Sequence, residues 1–219
     1  MSHAVSLFDH SAIMLRPWAD AGYTCWAIDI NHPAQSVEQD GINLIRHDLT
    51  VPWLPPFNQS EIEFVAAFPP CDHLAVSGAR WFKGKGLRAL ARSVELFATA
   101  AEFCEWSGAR YLIENPVSTI STYWRKPDHT FSPHQYAGFE STDNYTKKTC
   151  LWVGGGFVMP EPFPLEGAPE PDDRIHKMPP SAERAALRSQ TPLGFTRAVF
   201  EANRPDETRD DWADQGWGP

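Results

Sequence analysis

Two residues stand out by type and setting. Cys71 follows Pro69-Pro70 at the end of an apolar run, Glu63 to Phe68, so the chain turns stiffly there and leaves the thiol at a strand rim outside the core. A thiol reacts as the thiolate, which needs partial exposure and a positive or hydrogen-bonding surrounding. Glu114 follows a second run, Arg110 to Ile113, and precedes Asn115-Pro116; a carboxyl partly withdrawn from water holds its proton at neutral pH and can act as an acid. Both types have commoner uses. Most cysteines are small buried hydrophobes, which suits Cys25, Cys104 and Cys150, and a glutamate often faces solvent or caps a helix. No CxxC pair occurs, and His129, His134, Cys150 and His176 match no strong zinc spacing, so neither a disulfide framework nor a metal is expected.

These residues must be held by strands and helices that alternate. Val5 to Phe8 and Tyr23 to Ile30 read as strands, with a helix broken near Pro17 between them; Asn43 to His47 and Glu63 to Phe68 add two more strands. Leu87 to Trp106 carries apolar residues at helical spacing, and Gly108 lies where a C-terminal cap belongs. Arg110 to Ile113 is a fifth strand. The pattern predicts an α/β fold with a mostly parallel sheet, helices on both faces, and ligands outside the carboxyl ends of the strands. There lie Phe8-Asp9-His10-Ser11, Asp29, Asp48, Cys71 and Glu114-Asn115. An acid after the second strand, here Asp29, is the usual ribose partner in dinucleotide-binding sheets; either aspartate alone more often caps a helix. Further on, Thr149 to Val153 reads as a strand, Phe157 to Met159 as its hairpin partner after Gly154-Gly155-Gly156, and Pro160 to Asp173 as a connection. Ser181 to Ser189 and Gly194 to Asn203 read as terminal helices.

At 219 residues with 42% hydrophobic content the chain suits one domain, residues 1 to 203, followed by an acidic, flexible tail from 204 to 219. No membrane-spanning run or charged leader is evident, and a cytoplasmic location is expected. A net charge of −9 excludes a surface that embraces nucleic acid all round. Residues 71 to 92, however, carry Arg80, Lys83, Lys85, Arg88 and Arg92 against the single acid Asp72, a local basic patch. Within it Trp81-Phe82 suits either stacking on a base or packing at a helix start.

The order of these strand-end residues resembles the cytosine-C5 methyltransferase family. The stretches FPPCDHLAVSGARWF, IENPVSTI and YTKKTCLW are most like the short phage and prophage proteins described as DNA cytosine methyltransferases, over residues 5 to 203. The resemblance implies a Rossmann-like fold binding S-adenosylmethionine and a DNA or cytosine nucleotide substrate. It makes Cys71 the nucleophile that adds to C6, Glu114 the acid facing N3, and Asn115 the residue orienting both. It places Phe8 against the adenine, Asp29 on the ribose and Asp48 near the adenine amine, with Asp9, His10, Ser11 and Pro70 completing the cofactor site. Arg80, Trp81, Lys83 and Lys85 are assigned to substrate.

Three departures accompany it. The family's first loop is Phe-x-Gly-x-Gly-Gly, whereas this chain has Phe8-Asp9-His10-Ser11-Ala12-Ile13. Its Gln-x-Arg-x-Arg element is replaced by Tyr145-Thr146-Lys147-Lys148-Thr149, which puts Lys147 and Lys148 in the arginines' place. Its target-recognition region is reduced to about residues 116 to 148. Two alternatives therefore stand beside methylation of cytosine in DNA: C5 modification of a free pyrimidine nucleotide or with an altered cofactor, and a non-catalytic binding relic of the fold.

Overall fold

The computed structural model describes residues 2–33, 37–177 and 189–205. Eight strands form one sheet: β1 (His3–Leu7), β2 (Thr24–Asp29), β3 (Val37–Gln39), β4 (Ile42–Arg46), β5 (Ile62–Ala67), β6 (Arg110–Pro116), β7 (His129–Phe131) and β8 (Thr149–Gly154). Their order is β3-β4-β2-β1-β5-β6-β8-β7. The central five, β4, β2, β1, β5 and β6, are mutually parallel, whereas β3, and β8 against β6 and β7, pair antiparallel. The chain winds outward from β1 through β2 to β4, then crosses to β5 and β6, so the winding reverses between β1 and β5. That is where doubly wound sheets bind ligands. The fold is the α/β, Rossmann-like class expected from the sequence.

Alternation along the strands builds a core on each face. Ala4, Phe64 and Leu112 meet the helices Arg16–Asp20 and Leu193–Asn203, where Trp18 stacks on Phe64 at 4.6 Å between centroids and meets Phe200 edge-on at 5.1 Å. Each such fully buried side chain contributes on the order of 1.5–3 kcal/mol. Val5, Val65 and Ile113 meet the long helix Leu87–Ser107 through Phe97, Ala100 and Cys104. Gly108 ends that helix at φ 66°, a left-handed cap that a side chain would disfavour.

Several expectations change. Pro17 lies in the first turn of Arg16–Asp20, after a short 3-10 turn Ile13–Leu15, and breaks nothing. β6 runs on to Pro116, because β8 supplies partners that β5 does not: Leu151 for Glu114, Cys150 for Asn115 and Thr149 for Pro116. Phe157 to Met159 forms no strand. Instead Val158 is held by Asn203, whose Oδ1 accepts the Val158 N–H at 2.8 Å and whose Nδ2 donates to the Val158 carbonyl at 2.9 Å. The short strands β3 and β7 were not anticipated. The helix expected over residues 181 to 189 lies outside the described residues except for its last position, as does the tail from 206 onward. No helix among the described residues is long and apolar enough to cross a membrane.

Candidate active site

Cys71 sits one turn past β5, and the turn is tied down on several sides. Its carbonyl accepts the N–H groups of Leu74 at 3.0 Å and Ala75 at 2.9 Å. Asn115, almost fully buried, donates from Nδ2 to the Pro69 carbonyl at 2.8 Å, joining β6 to the diproline. The Thr119 N–H donates to the Leu74 carbonyl and the Val76 N–H to the Val117 carbonyl, both at 2.9 Å, so the segment after β6 forms a second wall. Lys85 Nζ closes the far side on the Asp72 carbonyl at 2.7 Å. Cys71 is half-buried; Cys25, Cys104 and Cys150 are buried. Burial pushes the Cys25 thiol up to about 12 and raises Cys104 and Cys150 as well, which leaves them unreactive.

Glu114 lies on the strand adjoining β5. Its side chain is 18% exposed, and Lys147 Nζ approaches Oε1 at 3.8 Å. Burial raises the Glu114 carboxyl above the usual range, and the Lys147 charge opposes the rise without cancelling it. Lys147 also donates to the Gln190 carbonyl at 3.1 Å, which fixes its ammonium beside the carboxyl. The two lysines separate here: Lys147 faces inward and Lys148 is exposed.

At the ends of β1, β2 and β4, three aspartates do the same local work. Asp9 Oδ1 accepts the Ala12 N–H at 2.8 Å and the Ser11 hydroxyl at 2.9 Å; Asp29 Oδ1 accepts the Asn31 N–H at 2.7 Å; Asp48 Oδ1 accepts the Thr50 N–H at 3.0 Å and its hydroxyl at 2.9 Å. Each folds its own turn with one oxygen. The second oxygen of Asp48 meets Arg92 at 3.8 Å. Hydrogen bonds from Thr50 lead the forces that hold the Asp48 carboxyl below its ordinary range. Asp9 Oδ2 is buried without a partner, and burial raises this carboxyl.

The first loop takes left-handed backbone at two residues that are not glycine, Phe8 at φ 57° and Ala12 at φ 53°. The second coincides with a position where the resembling family has glycine. Asp9, bonded to the Ala12 N–H, supplies locally what glycine supplies by freedom. His32, missed in the sequence, lies 2% exposed on the turn after Asp29, with its ring 5.4 Å from that of His10 and Nε2 unpartnered. Burial lowers its pKa against the pull of the Asp29 charge and so favours the neutral imidazole. A histidine three positions past a strand-end acid is the signal that could have found it. Unpartnered buried polar atoms call for an explanation, and Asp9 Oδ2 and His32 Nε2 both lie past the carboxyl ends of β1 and β2, the edge where such sheets take ligands. Phe8, half-buried beside the switch point, and the second oxygen of Asp29 suit a nucleoside in the same place.

The basic segment is exposed at Arg80, Trp81, Lys83 and Lys85, with the Arg80 guanidinium 5.0 Å from the Trp81 ring centre. Lys85 and Arg92 are already engaged, as described. No group of three or more metal-binding side chains occurs among the described residues. Chemically, the edge offers a partly exposed thiol, a carboxyl biased toward its protonated form with a cation beside it, and, past the ends of β1 and β2, the buried polar atoms of Asp9 and His32.

No protein-family model matches the sequence, and no curated protein matches it significantly. Among solved structures, an E. coli prophage protein described as a proposed DNA modification methyltransferase is similar at a TM-score of 0.39 and 12% identity. The match covers 70% of this chain and 46% of that one, so this chain aligns with less than half of that protein.

Proposed function

We propose that this chain transfers a methyl group to C5 of cytosine in DNA through a covalent bond between Cys71 and C6. S-adenosylmethionine, when bound, supplies the methyl group. The observation that carries the reading is the juxtaposition at adjacent strand ends: the Cys71 turn is fastened to β6 by Asn115, one residue from the raised Glu114 carboxyl and its Lys147 partner.

An aromatic C5 is a poor nucleophile until addition at C6 breaks aromaticity. The Cys71 thiolate forms the S–C6 bond while Glu114 shares its proton with N3, so negative charge does not accumulate on the ring. C5 then takes the methyl group. Loss of the C5 proton to a base, return of the N3 proton to Glu114 and breakage of the S–C6 bond, its electron pair going to sulfur, restore the ring, the acid and the thiolate. Lys147 limits how far the Glu114 carboxyl is raised, and Asn115 keeps the thiol and the carboxyl in register. Phe8, Asp29, Asp9 and His32 are the residues suited to hold the nucleoside of the cofactor.

A second reading, a free cytosine nucleotide as substrate, is favoured by one observation. Residues 116 to 148 contribute Phe131 and Tyr136 to the main core, where the stacked Phe131 and Phe195 rings lie 3.8 Å apart, so this segment is occupied in building the domain. Incubation with labelled S-adenosylmethionine and duplex DNA, single-stranded DNA or deoxycytidine monophosphate tests both. Label in a polymer supports the first reading, label in the monomer alone supports the second, and none in any leaves a binding relic.

A further inference from the structure

Between the Cys71 turn and the start of helix Leu87–Ser107 lies a cleft of about 340 Å³, lined by His73, Phe82, Lys83, Gly86, Leu87 and Leu90. Its size is at the lower end of small-molecule sites, roughly 300–1,000 Å³, the scale of one nucleoside. The lining is almost wholly apolar, with the Phe82 ring on one wall. Leu87 is 84% exposed and the nearby Trp81 60% exposed, an unusual placement for large apolar side chains unless something covers them. The polar groups present are cationic or neutral: Lys83 lines the cleft, Arg80 and Arg88 belong to the same basic segment, and His73 Nδ1 is held 3.1 Å from the Ser93 hydroxyl. None of Arg80, Lys83 and Arg88 has an ion-pair partner among the described residues. In a chain of net charge −9 this combination of an apolar wall and a cationic rim matches a base with its phosphate, and not a cationic or purely apolar ligand.

We propose that this cleft binds one unstacked nucleobase beside the target cytosine, with the flanking phosphate on Lys83, and that the form engaged is single-stranded or locally opened DNA. The cleft is joined to the nucleophile through His73, two residues from Cys71, so a strand entering it is brought to the thiol. The inference rests on the reading of cytosine in DNA as the substrate.

Binding of single-stranded oligonucleotides carrying one cytosine, with an abasic residue at each flanking position in turn, tests it. One position should weaken binding to the unaltered chain by about fivefold or more, the effect of losing one base stacked on an aromatic ring. The same abasic residue should have no further effect in Phe82→Ala. Leu87→Glu, at an exposed position outside the core, should weaken binding of the intact oligonucleotide by a similar factor. Equal losses at every abasic position, in the unaltered chain and both variants, overturn the proposal. Methyl transfer followed in parallel separates the failures: labelled cytosine without any flanking-base effect removes the cleft alone, whereas no binding and no labelling of any oligonucleotide removes the DNA reading with it.

Discussion

Asn115 Nδ2 donates to the Pro69 carbonyl at 2.8 Å, and through that bond β6 sets the position of the turn that carries Cys71. The donor is buried and joins two elements 46 residues apart in the sequence. Asn115→Ala should lose about 1–3 kcal/mol of stability in denaturant titration. It should also lower kcat more than it raises KM, because the reacting groups lose register while the surfaces that bind remain. A fall in kcat no larger than the rise in KM would reduce Asn115 to a structural residue.

Glu114 and Lys147 give a pH signature. The folded carboxyl has a pKa above its unfolded value, so the folded state binds more protons, and its contribution to stability falls as pH rises through the interval from about 4.5 to the raised folded value. Glu114→Gln removes this dependence, so its unfolding midpoint should gain on the unaltered chain as pH increases across that interval. Lys147→Met removes the opposing cation and raises the carboxyl further; the alkaline limb of the kcat profile should move to higher pH. A shift to lower pH would contradict the assignment of Glu114 as the acid.

Asp9 separates its two oxygens. Asp9→Asn keeps an acceptor for the Ala12 N–H and removes a buried group that is costly when ionised, so at neutral pH it should unfold at or above the midpoint of the unaltered chain. Asp9→Ala leaves the Ala12 N–H unpaired on strained backbone and should cost about 1–3 kcal/mol. Thermal unfolding of the pair distinguishes this from a surface aspartate, for which both changes would be near neutral.

His32 is buried and biased neutral, so its folded pKa lies below 6.5 and the stability it permits is lost as pH falls from 6.5 through that lower value. His32→Gln should flatten this acid-side loss. With an unpartnered Nε2 at the cofactor end, His32→Ala should weaken S-adenosylhomocysteine binding by about tenfold in calorimetry, on the order of one lost hydrogen bond. Unchanged affinity would leave the imidazole a core residue.

The central sheet was legible because β1, β2, β4 and β5 are short, largely apolar runs bounded by turn residues and the long helix repeats its apolar residues at helical spacing; the strand-end residues followed from that. What escaped was decided by distant partners. The last three residues of β6 are strand because β8 lies beside them, and β7 is three residues long, too short for any period to declare itself. Val158 is pinned by Asn203, a contact 45 residues away that no local pattern contains. At the site, residue types showed where acids and the thiol sit but not that Asp9, Asp29 and Asp48 each spend one oxygen on a turn. Nor could they tell Lys147 from Lys148, since adjacent strand-flanking residues differ only in the face the backbone gives them.

The most direct measurement is covalent capture. A fluorine at C5 cannot leave as a proton does, so a 5-fluorocytosine oligonucleotide incubated with S-adenosylmethionine should stall after methyl transfer, with C6 still bonded to sulfur. Intact-protein mass spectrometry after denaturation should show one adduct on the unaltered chain, its mass gain equal to the oligonucleotide plus the methyl group less the thiol hydrogen. Cys25→Ser, Cys104→Ser and Cys150→Ser should retain it, and Cys71→Ser should abolish it. An adduct of equal yield in Cys71→Ser, or none in the unaltered chain while S-adenosylhomocysteine and the oligonucleotide both bind, would contradict the account.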